Sequence, residues 1–154
     1  MFTAPYNFVH IPKTGGSSIE AALGLAPKHE CASMVARPRF TFVRHPLDRF
    51  ISAWEFGRQR GRIKEKTLTL DMLEMRLQSG DYTMSPMVTW LNGEMDFIGR
   101  FENIVEDFAK ISSSPLPHLR TTERKPWREY FTPEMLDMAV KFYKDDFKTF
   151  GYEV

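Results

Sequence analysis

HIPKTGGSS (His10–Ser18) joins an apolar run, Tyr6–Ile11, to a segment in which Ile19, Ala22 and Leu23 recur at helical spacing. The run before it reads as a short buried strand, which Pro12 and the two glycines bring to an end. A helix opens near Ser17 and stops at Gly24. Strand, glycine turn and helix in that order make half of a βαβ unit. Gly15 and Gly16 allow a tight backbone turn that aims several amide hydrogens at one point. The start of a helix adds the positive end of its dipole, so this point suits an anion. Lys13 brings a full positive charge, and Thr14, Ser17 and Ser18 bring hydroxyls. On these residues alone the loop reads as a phosphate or sulfate cradle, or as a plain glycine turn beside a surface lysine. It is not a Walker A loop, because Lys13 precedes the glycines and no GK[ST] ending follows.

Working outward, the same pattern returns. Arg39–Arg44 (RFTFVR) is a second strand, and Pro46 is well placed as the first residue of a helix. Leu47, Phe50, Ile51 and Trp54 mark the buried stripe of that helix, which ends at Gly57 or Gly61. Arg44 stands at a strand's carboxyl end, where open α/β sheets bind ligands, and Ser52 falls away from the stripe. Arginine suits a phosphate fork, while a capping arginine and a solvated serine are the plain alternatives.

Pro27–Pro38 reads as a loop with a short helix, and Asp71–Gln78 as a helix closed by Gly80. Asp96–Phe101 is a third strand, leading to a helix with Phe101, Ile104, Val105, Phe108 and Ile111 on one face. Ser112–Pro117 is a loop, and Thr132–Pro133 starts a helix that turns Leu136, Ala139, Val140, Tyr143 and Phe147 inward. Alternation of strands and helices predicts a single α/β domain over residues 1–154, three-layered, with a mainly parallel central sheet flanked by helices.

Composition narrows the classes. A chain of 154 residues suits one domain, able to bury roughly 68–70% of its unfolded surface. Lys and Arg number 21 against 20 acidic residues, so nothing points to nucleic acid or to an acidic membrane surface. A mean hydropathy of −0.38 excludes a membrane-embedded chain, and MFTAPYNFVHI lacks the pattern of a signal peptide. One cysteine, Cys31, excludes an internal disulfide framework and a multi-cysteine zinc site, and no metal site is expected. Arg58–Lys66 and Arg120–Arg128 are basic stretches that read as solvated faces or as surfaces steering an anion.

HIPKTGGSSI resembles the 5′-phosphosulfate loop of the sulfotransferases that use 3′-phosphoadenosine-5′-phosphosulfate (PAPS). FVRHPLDRFISAW is similar to their 3′-phosphate motif, with Arg44 and Ser52 at the family's spacing. IGRFENIVEDF (Ile98–Phe108) and FYKDDFKTFGY (Phe142–Tyr152) are similar to two further signatures in the same order. The resemblance is closest to the carbohydrate branch, family 2, and covers almost the whole chain. It implies a P-loop-like topology. It also implies that Lys13, Thr14, Gly15, Gly16, Ser17 and Ser18 hold the donor's 5′-phosphosulfate, while Arg44 and Ser52 hold its 3′-phosphate. Arg124, in TTERKPW, matches a later basic loop that approaches the nucleotide.

The implied reaction is in-line transfer of a sulfuryl group to an acceptor hydroxyl, expected on a carbohydrate, leaving 3′-phosphoadenosine-5′-phosphate (PAP). Lys13 would neutralise charge on the leaving oxygen, and no metal is required. His29, in KHECASMV, is the expected base, with Glu30 and Glu55 as weaker alternatives; His10 and His45 read as structural. The chain is shorter than the family's usual catalytic domain, so the segments shaping an acceptor pocket are expected to be reduced. Without an anchor, a cytoplasmic protein of microbial or viral origin is expected. Two rivals stand beside this reading: a small nucleotide kinase or phosphotransferase, and a nucleotide-binding module without turnover.

Overall fold

The computed structural model describes residues 6–118 and 123–154. In chain order the elements are β1 (Asn7–Val9), α1 (Gly16–Leu23), β2 (Arg39–Val43), α2 (Pro46–Gln59), α3 (Leu70–Gln78), β3 (Phe97–Arg100), α4 (Ile104–Phe108), α5 (Pro133–Phe142) and α6 (Lys144–Phe150). Short 3₁₀ turns lie between them at Ala32–Met34, Met87–Trp90, Phe101–Asn103 and Trp127–Tyr130. The sheet order is β1-β2-β3 and every pairing is parallel, so the chain is an α/β protein with a parallel sheet flanked by helices.

The described residues fall into two compact units. The first, residues 6–44 with 87–118, carries the sheet. Phe8 pairs with Phe40, and Phe40 with Phe97, so aromatic rows run across the strands. Phe40 and Phe42, two apart on β2, share a face. There they pack with Ile19 of α1 and Phe108 of α4, all at most 1% exposed. The start of β2 is pinned by Asp96, which accepts from the Arg39 amide at 2.9 Å and from Arg37 Nε at 3.2 Å. Arg37 beside it holds the Asp96 carboxyl down at about 2.

One expectation in this unit fails. Val105 does not share the buried face with Phe108; it is 69% exposed. Ile104, one helical turn before Phe108 on α4, packs on the core in its place, and Val105 beside it faces solvent.

The second unit, residues 45–86 with 123–154, is helical. Its core joins Leu47, Phe50, Ile51 and Trp54 of α2 to Leu73 of α3, Met135 and Ala139 of α5, and Tyr143. Full burial of each large side chain stabilises by roughly 1.5–3 kcal/mol relative to exposure. Pro46 does start α2, and Gly61, at φ +68, follows its end. The helix expected from Thr132 through Phe147 is two helices. Tyr143 leaves the α region at ψ 17, and its buried hydroxyl donates to the Met84 carbonyl at 2.5 Å, an anchor that fixes the break. Burial pushes the Tyr143 phenol far up.

Candidate active site

The loop after β1 sits at the carboxyl end of the sheet and leads directly into α1. Lys13 is left-handed at φ 66, the one non-glycine at positive φ among the described residues. A non-glycine residue there is held by its surroundings at a cost of about 1 kcal/mol or more. Gly15 follows at φ +86 and caps α1 with no side-chain hydrogen bond. A Cβ at Gly15 would lie 2.6 Å from Ile104 Cδ1 and 3.0 Å from Phe101, so the segment after β3 presses on the loop. At Gly16 a Cβ would meet the His10 ring at 2.0 Å. Gly16 is therefore required by close approach and Gly15 by its left-handed conformation.

The other loop residues divide. Thr14 is fully buried, and its hydroxyl donates to the Ile11 carbonyl at 2.7 Å, so the loop is braced from within. Ser17 and Ser18 are half-buried in the first turn of α1, and the Ser18 amide donates to the Gly15 carbonyl at 3.2 Å.

Arg44, one residue past β2, is buried against this loop. Its Nη1 donates to the Lys13 carbonyl at 3.2 Å, and its guanidinium lies 3.9 Å from the centre of the Phe101 ring. Phe101 thus touches both Gly15 and Arg44, a cation–π contact that orients the guanidinium plane. Nothing in the sequence pattern singled out Phe101; its role depends on three segments meeting at one end of the sheet.

His29 lies in the same unit. Its ring sits 4.2 Å from that of His10 and 6.2 Å from that of Trp90, and its Nδ1 donates to the His10 carbonyl at 3.1 Å. Glu30 pairs with Lys28 at 3.0 Å.

Ser52, Arg124 and Glu55 belong to the helical unit. Ser52 is off the apolar stripe as expected, yet only 6% exposed, because α2 is buried on nearly every side from Pro46 to Glu55. Arg124 ion-pairs with the Asp48 carboxylate. Glu55 accepts from Arg58 through both oxygens at 2.9 Å and from the Tyr130 hydroxyl at 2.9 Å, so its lone pairs are engaged. Burial, with help from Glu55, raises the Tyr130 phenol.

Arg58 and Lys66 of one basic stretch meet Arg124 and Lys125 of the other around a cleft of about 340 Å³. Glu55 and Glu123 line it too, which offsets the positive charge. The second stretch begins at Arg120, and residues 119–122 lie outside the described residues. His45 donates from Nε2 to the Glu153 carbonyl at 2.8 Å and stacks on Trp127 at 4.7 Å, a packing role. Among the described residues no group of three or more His, Cys, Asp or Glu side chains is placed to hold a metal ion. Nor is any helix there long and apolar enough to cross a membrane.

A parallel sheet whose first strand runs through a glycine turn into a helix without a side-chain cap defines an α/β protein. The sequence model described as "Sulfotransferase family" matches residues 6–153, and the chain belongs to that family. Sulfuryl transfer from a sulfate donor to an acceptor is the chemistry that membership assigns. Comparison with curated proteins and with solved structures found no match.

Proposed function

We propose that the donor is PAPS and that the acceptor is a carbohydrate hydroxyl. The observation that carries this reading is the loop itself. Lys13 and Gly15 are left-handed, α1 has no side-chain cap and no acid in its first turn, and Arg44 is folded onto the Lys13 carbonyl. These residues suit the donor's charged groups: the loop amides, the start of α1 and Lys13 for the phosphosulfate, and the Arg44 guanidinium beside them for the second phosphate. The amides of residues 14–17 would hold the 5′-phosphosulfate and Arg44 the 3′-phosphate. Bound there, PAPS supplies an activated sulfuryl group.

Lys13 neutralises the negative charge that grows on the leaving oxygen. His29, with its proton on Nδ1, takes the acceptor's proton at Nε2. Glu55, engaged by Arg58 and Tyr130, is poorly placed to compete for that task. Ser52 and Arg124 lie in the helical unit, and the proposal stands on the sheet unit alone.

The test is transfer of labelled sulfuryl from PAPS to a panel of neutral and acidic saccharides. Incorporation that falls at least tenfold in His29→Ala, with PAP affinity unchanged, is the expected result. Incorporation into none of the panel would remove the carbohydrate assignment, and equal turnover by the His29 variant would remove the base.

A further inference from the structure

Beneath the loop lies a buried polar network that the reaction just described does not use. His10 Nδ1 and Glu20 Oε1 meet at 2.6 Å, with the two residues 5% and 4% exposed. Burial foremost, and the neighbouring His29 next, press the His10 ring toward its neutral form, against an opposing pull from Glu20. A neutral imidazole facing a carboxylate through Nδ1 carries its proton there, because the carboxylate can only accept.

The opposite edge of the ring, Cδ2 and Nε2, abuts Gly16, where a methyl group would stand 2.0 Å from both atoms. Phe8 stacks on the ring at 5.3 Å and 17°. His10 is therefore a spacer, fixed on three sides, between β1 and the first turn of α1.

The same two residues reach the segment that carries His29. Glu20 Oε1 accepts a second hydrogen bond, from the Lys28 amide at 3.1 Å. The His10 carbonyl accepts from His29 Nδ1 at 3.1 Å. A carbonyl oxygen has no proton to give, so this contact puts the His29 proton on Nδ1 and its lone pair on Nε2.

We infer that Glu20 and His10 are positioning residues that seat the anion loop through Gly16 and hold His29 as its Nδ1–H tautomer, with Nε2 as the basic nitrogen. The inference rests on the reading of His29 as the base, since the tautomer matters to the reaction only there. Its chemistry is economical: one buried carboxylate ties the loop and the 28–29 segment to the same ring.

The experiment uses the full chain with ¹⁵N-labelled histidine, read by long-range ¹H–¹⁵N correlation near pH 8. Wild type is expected to show Nδ1 as the protonated nitrogen of both His10 and His29. In Glu20→Ala the His29 ring is expected to average between tautomers and PAP affinity to drop at least tenfold. Glu20→Gln, whose amide oxygen can still accept both hydrogen bonds, is expected to restore the wild-type pattern.

A protonated Nε2 on either ring in wild type overturns the inference. So does Glu20→Ala with an unchanged His29 spectrum and unchanged affinity. Should that variant fail to fold, the wild-type spectrum alone decides. Absence of PAP binding by wild type would instead overturn the donor reading, while the ring spectra still decide the network.

Discussion

The entries to α1 and α5 both leave first-turn backbone N–H groups without intrahelical partners and treat them in opposite ways. At α5, Thr132 accepts from the Met135 amide at 3.3 Å, Pro133 takes a first-turn position and Glu134 adds a negative charge to the first turn. At α3, Thr69 and Asp71 repeat the arrangement. At α1 the cap is Gly15, which has no side chain to offer, and the first turn holds no acid. The backbone before it is left-handed at two of three successive residues. Where a helix only has to be stable, side chains complete its start. At α1 no side chain completes the start and Lys13 carries a strained φ, the two features on which the proposed anion site rests.

Lys13→Gly should have the largest effect, because it removes the charge and relieves the positive φ together. Turnover is expected to fall on the order of 10²–10³-fold. Stability should rise by about 1 kcal/mol, measured by denaturant unfolding. A variant both inactive and less stable would mean that the loop is not strained for function.

Ser17→Asp would give α1 the first-turn acid that α3 and α5 already have. A helix that merely lacks a charge would gain stability from it. An anion site should lose PAP affinity by about tenfold, roughly 1.4 kcal/mol. Calorimetric titration beside a melting curve separates the two.

Thr132→Ala is the mirror experiment. Loss of the cap should cost about 1 kcal/mol of stability and leave PAP affinity as it was. The smallest change concerns pH. His10 titrates below its ordinary value of about 6.5 in the folded chain. Below about pH 6.5 the unfolded chain therefore takes up a proton that the folded chain resists, and stability declines as the pH falls. Thermal melts at stepped pH should show this decline in wild type and a shallower one in His10→Gln.

The boundaries of this fold were legible because single residues punctuate them. Gly24 ends α1 at φ +66, Pro46 opens α2, and Thr132 with Pro133 opens α5. The glycine turn into α1 was equally visible, since two adjacent glycines and a helix start carry their physics locally. What escaped the sequence depends on distant partners. Glu20 looks like a surface acid beside Ile19, and only the packing of α1 on β1 brings it to His10. Phe101 reads as one more core aromatic until Arg44 and Gly15 arrive on either side of it. Glu55 passed for a spare carboxylate because Tyr130, its partner, lies 75 positions away. Periodicity misplaced Val105, because the short α4 packs only Ile104 and Phe108 on the core, and it ran past Tyr143, whose buried hydroxyl is held by the Met84 carbonyl.

In the proposed reading the loop and Arg44 receive a 3′-phosphorylated nucleotide. Calorimetric titration of the chain with PAP, against AMP and Mg-ATP, tests it most directly. The account predicts binding of PAP at least tenfold tighter than of AMP, with that preference lost in Arg44→Ala. Equal affinity for PAP and AMP, or a preference for Mg-ATP, would contradict it and favour a phosphotransferase.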